Sequence, residues 1–377
     1  PVNAHTAGVS GVYVYSATYR KDGAGLTETF PAAGGMPSEQ LTYYFAATGQ
    51  NTTTSAQDLP GGPTRTYAST SYDTSGRVWT RVLGDPNGTP SNNVLRTYGY
   101  DARGRLFSLT ATARVGSSVQ STVQSDTYEF DVNGNIAARK DAVAGQAECF
   151  GYDTRNRLNR AYTQTNGACA GSLQDVGPDP YERTYTYDAI SRLTSQSKRT
   201  GTAQAMTVSS YTYAASAPGG CVAGTQTAKP HAVTAVSGVG TSGYDCAGNM
   251  TSRTSPLGAF TQAWNSQGKL EQVTKTGYTA LYIYGPNGQR LIQEEGSKRT
   301  VYLPGQEITS TGGAAATGAR YITAGPDGPQ VALRRTGTSA GIYYLGGDAQ
   351  GSVSWSVSAA SLAVTRARYY PYGQVRG

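Results

Sequence analysis

A chain of 377 residues would ordinarily divide into two or so domains, but 48 glycines, 28 tyrosines and only 15% charged residues point to a turn-rich, aromatic-rich β-protein rather than a helical one. A net charge of +7 and a pI near 9.1 suggest nucleic acid, yet the cations are scattered one or two per hairpin (Arg77, Arg105, Arg157, Arg192, Arg290) without a cluster, so no specific nucleic-acid partner is expected. No apolar run is long enough to span a membrane, and no window shows the 3.6-residue apolar period of an amphipathic helix.

The chain opens at Pro1-Val2-Asn3 with neither Met nor a signal-peptide pattern, and so reads as a piece of a longer polypeptide whose export signal lies upstream. Over residues 1–70 the texture is β without a complete motif. Gly11-Val12-Tyr13-Val14-Tyr15 alternates, and Leu41-Thr42-Tyr43-Tyr44-Phe45 predicts a strand followed by Gly49 and a Thr-rich return. These are expected to be degenerate versions of the unit that fills residues 71–340.

That unit first appears complete at Tyr72-Asp73-Thr74-Ser75-Gly76 and is clearest at Tyr98-Gly99-Tyr100-Asp101-Ala102-Arg103-Gly104-Arg105-Leu106. Tyr98 and Tyr100 lie two apart, on one face of an extended strand. Asp at the first and Gly at the fourth position of Asp101–Gly104 predict a type I turn closed by a left-handed residue, the usual route to a short bulged hairpin. Arg105 then begins a return strand, where it can solvate the outer face or cover a neighbouring Tyr ring.

Further copies follow at Phe130-Asp131-Val132-Asn133-Gly134, Tyr152-Asp153, Tyr187-Asp188, Tyr244-Asp245-Cys246-Ala247-Gly248, Trp264-Asn265-Ser266-Gln267-Gly268 and Tyr284-Gly285-Pro286-Asn287-Gly288. Asn156 and Ser191 stand where other copies have Gly; Asn tolerates the left-handed region, Ser less so. The aromatics Tyr244, Trp264 and Tyr284 are spaced by 20 residues, a period that fits one hairpin per repeat. A hairpin cannot bury its aromatic face alone, so neighbours must join into a continuous sheet, and these Tyr, Asp and Gly residues are read as scaffold.

Four cysteines allow three pairings, of which Cys149 with Cys169 and Cys221 with Cys246 is the local solution, each pair flanking an insertion between hairpins. Paired cystines fit an exported protein. No Cys-x-x-Cys occurs and the only histidines are His5 and His231, so neither zinc nor a catalytic histidine is expected. Gly238-Val239-Gly240-Thr241-Ser242-Gly243 matches a dinucleotide fingerprint by letter, but it runs into a hairpin and offers no helix N-terminus for a pyrophosphate. Asp131-Val132-Asn133-Gly134-Asn135 opens like a calcium loop but has Ala142 where a bidentate Glu is required. No catalytic residue, metal site or cofactor is assigned.

Residues 341–377 differ in kind. Tyr343-Tyr344-Leu345-Gly346-Gly347-Asp348-Ala349-Gln350-Gly351-Ser352 leads into Val353, Trp355 and Val357 alternating with serines, a strand with one apolar face.

The motif Tyr-x-Tyr-Asp-x-x-Gly-Arg-Leu resembles the YD repeat of the RHS-repeat family, which includes Rhs-type polymorphic toxins, shell subunits of Tc toxins and teneurins. Pro31-Ala32-Ala33-Gly34-Gly35-Met36-Pro37, Val301-Tyr302-Leu303-Pro304-Gly305-Gln306-Glu307 and Tyr370-Pro371-Tyr372-Gly373-Gln374-Val375-Arg376-Gly377 look like its actinobacterial branch. Residues 341–377 resemble the start of the Rhs-associated core domain, with Ala349 where the family has His.

The resemblance implies an all-β fold in which antiparallel hairpins form a coiled strip, part of a hollow shell with a Tyr-lined interior. It implies a role in enclosing a C-terminal toxin domain of the same polypeptide, the cargo, before delivery by a secretion apparatus, and hence a secreted or cell-surface location. The family's self-cleavage site and toxin would lie beyond Gly377, so the chain itself is not expected to be an enzyme. The alternative is a cell-surface adhesion or carbohydrate-binding protein presenting its Tyr faces.

Overall fold

The structure, a computed structural model, describes residues 2–4, 11–165, 167, 169, 171–213 and 231–376. Among these the architecture is all-β: one antiparallel strand follows another, interrupted by a single 3-10 turn at Gly337–Ser339. No described helix is long and apolar enough to cross a membrane. The chain divides into two compact units, one holding Pro1–Glu129, Arg139–Gln146 and Val301–Gly377, the other Phe130–Ala138 and Ala147–Thr300.

In the first unit, strands Gly25–Phe30, Ser38–Phe45, Asn51–Leu59, Thr64–Tyr72, Val78–Leu83, Asn92–Tyr100 and Leu106–Val115 each pair with the next. Side chains alternate across the sheet, so Glu39, Leu41 and Tyr43 of one strand, and Leu109, Ala111 and Ala113 of another, point inward and are buried. Against this face lies a second run of strands: Thr317–Thr323, Gln330–Arg335, Gly341–Gly347, Val353–Ser358 and Val364–Arg366. Tyr43, Tyr67, Leu83 and Val94 from the first set and Ile322, Val331, Trp355 and Val357 from the second form one core. Each such side chain contributes about 1.5–3 kcal/mol by leaving water.

Trp355 and Val357 are buried as the alternation predicts, but Val353 is 39% exposed because the ladder slips one residue between Gly346 and Gly347. Its serine neighbour Ser354, expected on the outer face, is buried. Gly346 leaves the space that the Trp355 indole fills; a Cβ there would stand 2.0 Å from the ring.

An ion cluster joins the two strand sets. Arg320, fully buried, donates to Glu39 Oε2 at 2.8 Å, to Gln306, and to the backbone carbonyls of Pro31 and Pro37. Its guanidinium lies 5.1 Å from the centre of the Phe30 ring. Glu39 Oε1 also receives Arg65 at 2.8 Å and the Tyr67 hydroxyl at 2.9 Å. Asp58 is bound through both oxygens by Arg65 and by Arg334. The loop 31–37 is thus a socket for one arginine, and Gly34 fits against the 317–318 backbone, where a Cβ would come within 2.7 Å.

The second unit has a thinner core. Strands from Leu158–Thr165 to Arg290–Glu295 pair in sequence order, with small clusters around Phe260, Val273 and Ala280 and around Ala147, Cys149 and Tyr162. Cys149 and Cys169 form a disulfide with Cα atoms 5.6 Å apart. Closing a loop of 20 residues stabilises by roughly 3 kcal/mol in the chain-entropy model. Cys246 is also disulfide-bonded; Cys221, its expected partner, lies outside the described residues. Gly238 occupies the tight turn between antiparallel strands Val233–Val236 and Gly240–Tyr244, so the glycine-rich stretch is a hairpin.

Candidate functional site

Eight motif copies can be compared at their turns, and the same bonds recur. At Asp73 the backbone N–H donates to Arg77 O (2.8 Å) and the Gly76 N–H donates to Asp73 O (3.0 Å). Asp73 Oδ1 accepts from the N–H groups of Ser75 and Arg77, both at 2.9 Å, while Oδ2 accepts from Arg77 Nε at 2.8 Å. Asp101 with Arg105, Asp153 with Arg157 and Asp188 with Arg192 repeat this arrangement. Where Asn follows Gly, its amide takes the place of the guanidinium: Asn135 reaches Asp131 Oδ2 at 2.8 Å and Asn249 reaches Asp245 Oδ2 at 2.9 Å. Asn265 keeps the Oδ1 bonds to Gln267 and Lys269, and Gly285 retains only the backbone bonds.

The fourth turn residue has positive φ throughout, 79° at both Gly76 and Gly104, 58° at Asn156 and 67° at Ser191. The ladder slips beside the turn, for example between Ser71 and Tyr72 and between Ile283 and Tyr284, the bulge that such a turn requires.

The aromatic before each turn links one repeat to the one before it. Tyr100 donates its hydroxyl to Val78 O (3.0 Å), Tyr152 to Ile136 O (2.9 Å), Tyr187 to Leu158 O (2.8 Å), Tyr244 to Val233 O (2.8 Å) and Tyr284 to Leu270 O (2.8 Å). Each of these acceptors is the first residue of a strand, the one that leaves the preceding motif turn at Val78, Ile136, Leu158 and Leu270. Trp264 keeps the bond with a different group, its indole N–H donating to Met250 O at 2.8 Å. Phe130 has no donor to offer. Tyr98, the other aromatic of the clearest copy, lies under Arg96.

Arginine completes the interlock. Arg77 lies 4.5 Å from the centre of the Tyr100 ring, Arg157 4.8 Å from Tyr187 and Arg192 4.7 Å from Tyr213. One guanidinium therefore binds its own turn's Asp and covers the next repeat's ring, whose hydroxyl returns to the first repeat's backbone. In the second unit adjacent turns also touch: Asn133 donates to Asn156 Oδ1 at 2.8 Å, and Arg157 to Asp188 O at 3.0 Å.

These contacts set the charge state of the turns. The Asp153 carboxyl is held at about 2, first by the Arg157 guanidinium and then by backbone N–H groups. Asp73 and Asp101 are lowered first by the following arginine's backbone N–H, and Asp131 first by the Asn135 side chain. Asp188 and Asp245 are lowered as well, their hydrogen bonds outweighing desolvation. A carboxylate saturated in this way is a weak general base but a strong turn clamp.

The turn and the ring are predicted by the sequence, but the Asp–Arg pair is not, although its spacing of four residues is visible in four of the eight copies. Two turns without Asp at the first position have the same two backbone bonds, Ala46–Gln50, where Gly49 predicts a turn, and Arg20–Ala24, whose Arg20 covers Phe45 at 4.7 Å. Asp348-Ala349-Gln350-Gly351, set apart in the sequence, makes the repeat turn, and Tyr369 donates to Val353 O at 2.8 Å. His231 is exposed and His5 lies outside the described residues.

No family model matches the sequence, and no curated protein matches it. Among solved structures, the chain is similar to a TcdB2–TccC3–Cdc42 crystal structure, with a TM-score of 0.72 and 20% identity over 97% of this chain and 18% of that one. A Photorhabdus luminescens Tc holotoxin pore gives 0.72 and 21%, and a TcdB2–TccC3 crystal structure 0.73 and 19%, with the same coverage. The chain thus has the fold of part of these Tc toxin structures, and it spans about a fifth of their length, 18%.

Proposed function

We propose that this chain is a wall section of a toxin-enclosing shell, structural and not catalytic, working outside the cell that makes it. The observation that carries this is the repeat interlock, ring to preceding carbonyl and arginine to following ring, on a fold similar over 97% of the chain to Tc toxin structures. A wall must hold together without a thick core, and bonds between successive hairpins supply that cohesion. Its partner is a toxin domain carried C-terminally on the same polypeptide and handed to a delivery apparatus.

The Tyr-lined interior needs revision in this reading. Motif hydroxyls are engaged by backbone, and in the first unit the inward face is covered by strands of residues 317–366. In this reading exposed polar faces of the second unit, such as the one carrying Thr261, are open to a cargo. Cryo-electron microscopy of the full-length parent particle tests the proposal. A continuous wall around internal density is expected. A solid or open particle with nothing inside would sink it and favour adhesion through exposed rings such as Tyr19 and Tyr372.

A further inference from the structure

Between the two strand sets of the first unit lies a cavity of about 570 Å³, within the size range of small-molecule sites. Met36, Pro63, Tyr67, Pro90, Ile342 and Tyr344 give it apolar walls, and Arg65 and Arg334 also border it. Both arginines belong to the ion cluster and remain 20% and 15% exposed. Three guanidiniums (Arg65, Arg320, Arg334) share two carboxylates (Glu39, Asp58), so the cluster keeps one positive charge. Arg320 is fully buried, which leaves that charge reachable through Arg65 and Arg334.

Donors are available there. Of the five N–H groups on a guanidinium, Arg65 uses NH1 and NH2 on Asp58 and Glu39, and Arg334 does the same, while neither Nε has an acceptor among the described residues. Two other charged residues line the cavity. Arg335 alternates to the opposite sheet face, beside Tyr321. Asp85 stands near Tyr344, with its Oδ1 capping the Asn87 N–H.

We propose that this cavity binds a small amphiphilic anion, a carboxylate or sulfonate head on an apolar body. The head pairs with the free N–H groups of Arg65 and Arg334 and cancels the cluster's surplus charge, while the body lies against Ile342, Met36 and the prolines. Asp85 repels an anion on its own side and so fixes the ligand's direction.

The test is titration of the whole chain with anilinonaphthalene sulfonate, followed by fluorescence, with near-ultraviolet circular dichroism to verify native packing. Saturable binding at one site per chain is expected, displaced by decanoate but not by decylamine or decanol at equal concentration. Ile342→Trp, which fills the cavity, should weaken binding at least about tenfold, and Asp85→Asn should tighten it about threefold by removing the repelling charge. Non-saturating binding, equal displacement by decylamine, or a natively packed Ile342→Trp protein that binds unchanged would each overturn the proposal. If Ile342→Trp loses native packing, Asp85→Asn decides: unchanged or weaker binding overturns the charge assignment.

Discussion

Removing the hydroxyl of Tyr187 leaves the Leu158 carbonyl without that donor while the ring under Arg157 stays in place. Tyr187→Phe should therefore lower stability by about 1 kcal/mol, the net worth of one hydrogen bond, as read by urea denaturation. Trp264 shows that the bond does not depend on a phenol, since an unrelated ring keeps an N–H donor on the equivalent carbonyl, while Phe130 forgoes it. Asp153 gives a second expectation. Its folded pKa of about 2 lies below the ordinary 3.8, so its contribution is present above pH 3.8 and is lost as pH falls from there toward about 2. Stability of Asp153→Asn, measured against pH, should lack that part of the acid limb; a limb identical to the parent's would show that the carboxylate does not clamp its turn.

At the level of the hairpin, Ser191 sits in the left-handed region at φ 67° without the freedom of glycine. Ser191→Gly should stabilise the protein by about 1 kcal/mol, less any loss of the contact from Arg157 to Ser191 Oγ, and thermal unfolding would show it. The turns were legible in the sequence because so few residues suit them: Asp at the first position and Gly at the fourth leave little choice of backbone. Arg20–Ala24 was less legible, because its Asp22 stands at the third turn position, where it accepts from the Ala24 N–H, and not at the first. Nor could alternation foresee the outward Val353 and buried Ser354, which follow from a one-residue slip beside Gly347. A period-2 pattern assumes an unbroken ladder.

For the molecule as a whole, the least legible feature was the packing of residues 317–357 on residues 30–123 in the first unit. Local pattern says which face of a strand is apolar, not which distant strand will cover it. Glu39 and Arg320 look like ordinary surface charges in the sequence, yet both are fully buried and bonded to each other. Arg320→Leu would leave Glu39 buried with less compensation and empty the socket at Pro31 and Pro37. A loss of about 3–5 kcal/mol is expected, or failure to fold, and Arg320→Lys should recover only part of it because one ammonium cannot reach four acceptors. Equilibrium unfolding of the three proteins, with a change below about 1 kcal/mol for the leucine variant, would show that the socket does not hold the two strand sets together.

The aromatic bonds also have a direction. Each motif ring that carries a donor gives it to a carbonyl earlier in the chain, so in the order of synthesis the acceptor exists before its donor. A newly made hairpin meets a finished docking site on its predecessor, with Arg157 already in place for the ring of Tyr187. These ring bonds need not wait for residues still to be translated, whereas the first unit's core closes only once residues 322–357 have been made. Along the repeats, then, the ribosome's direction is the direction of ring docking, and each repeat serves as the template for the next.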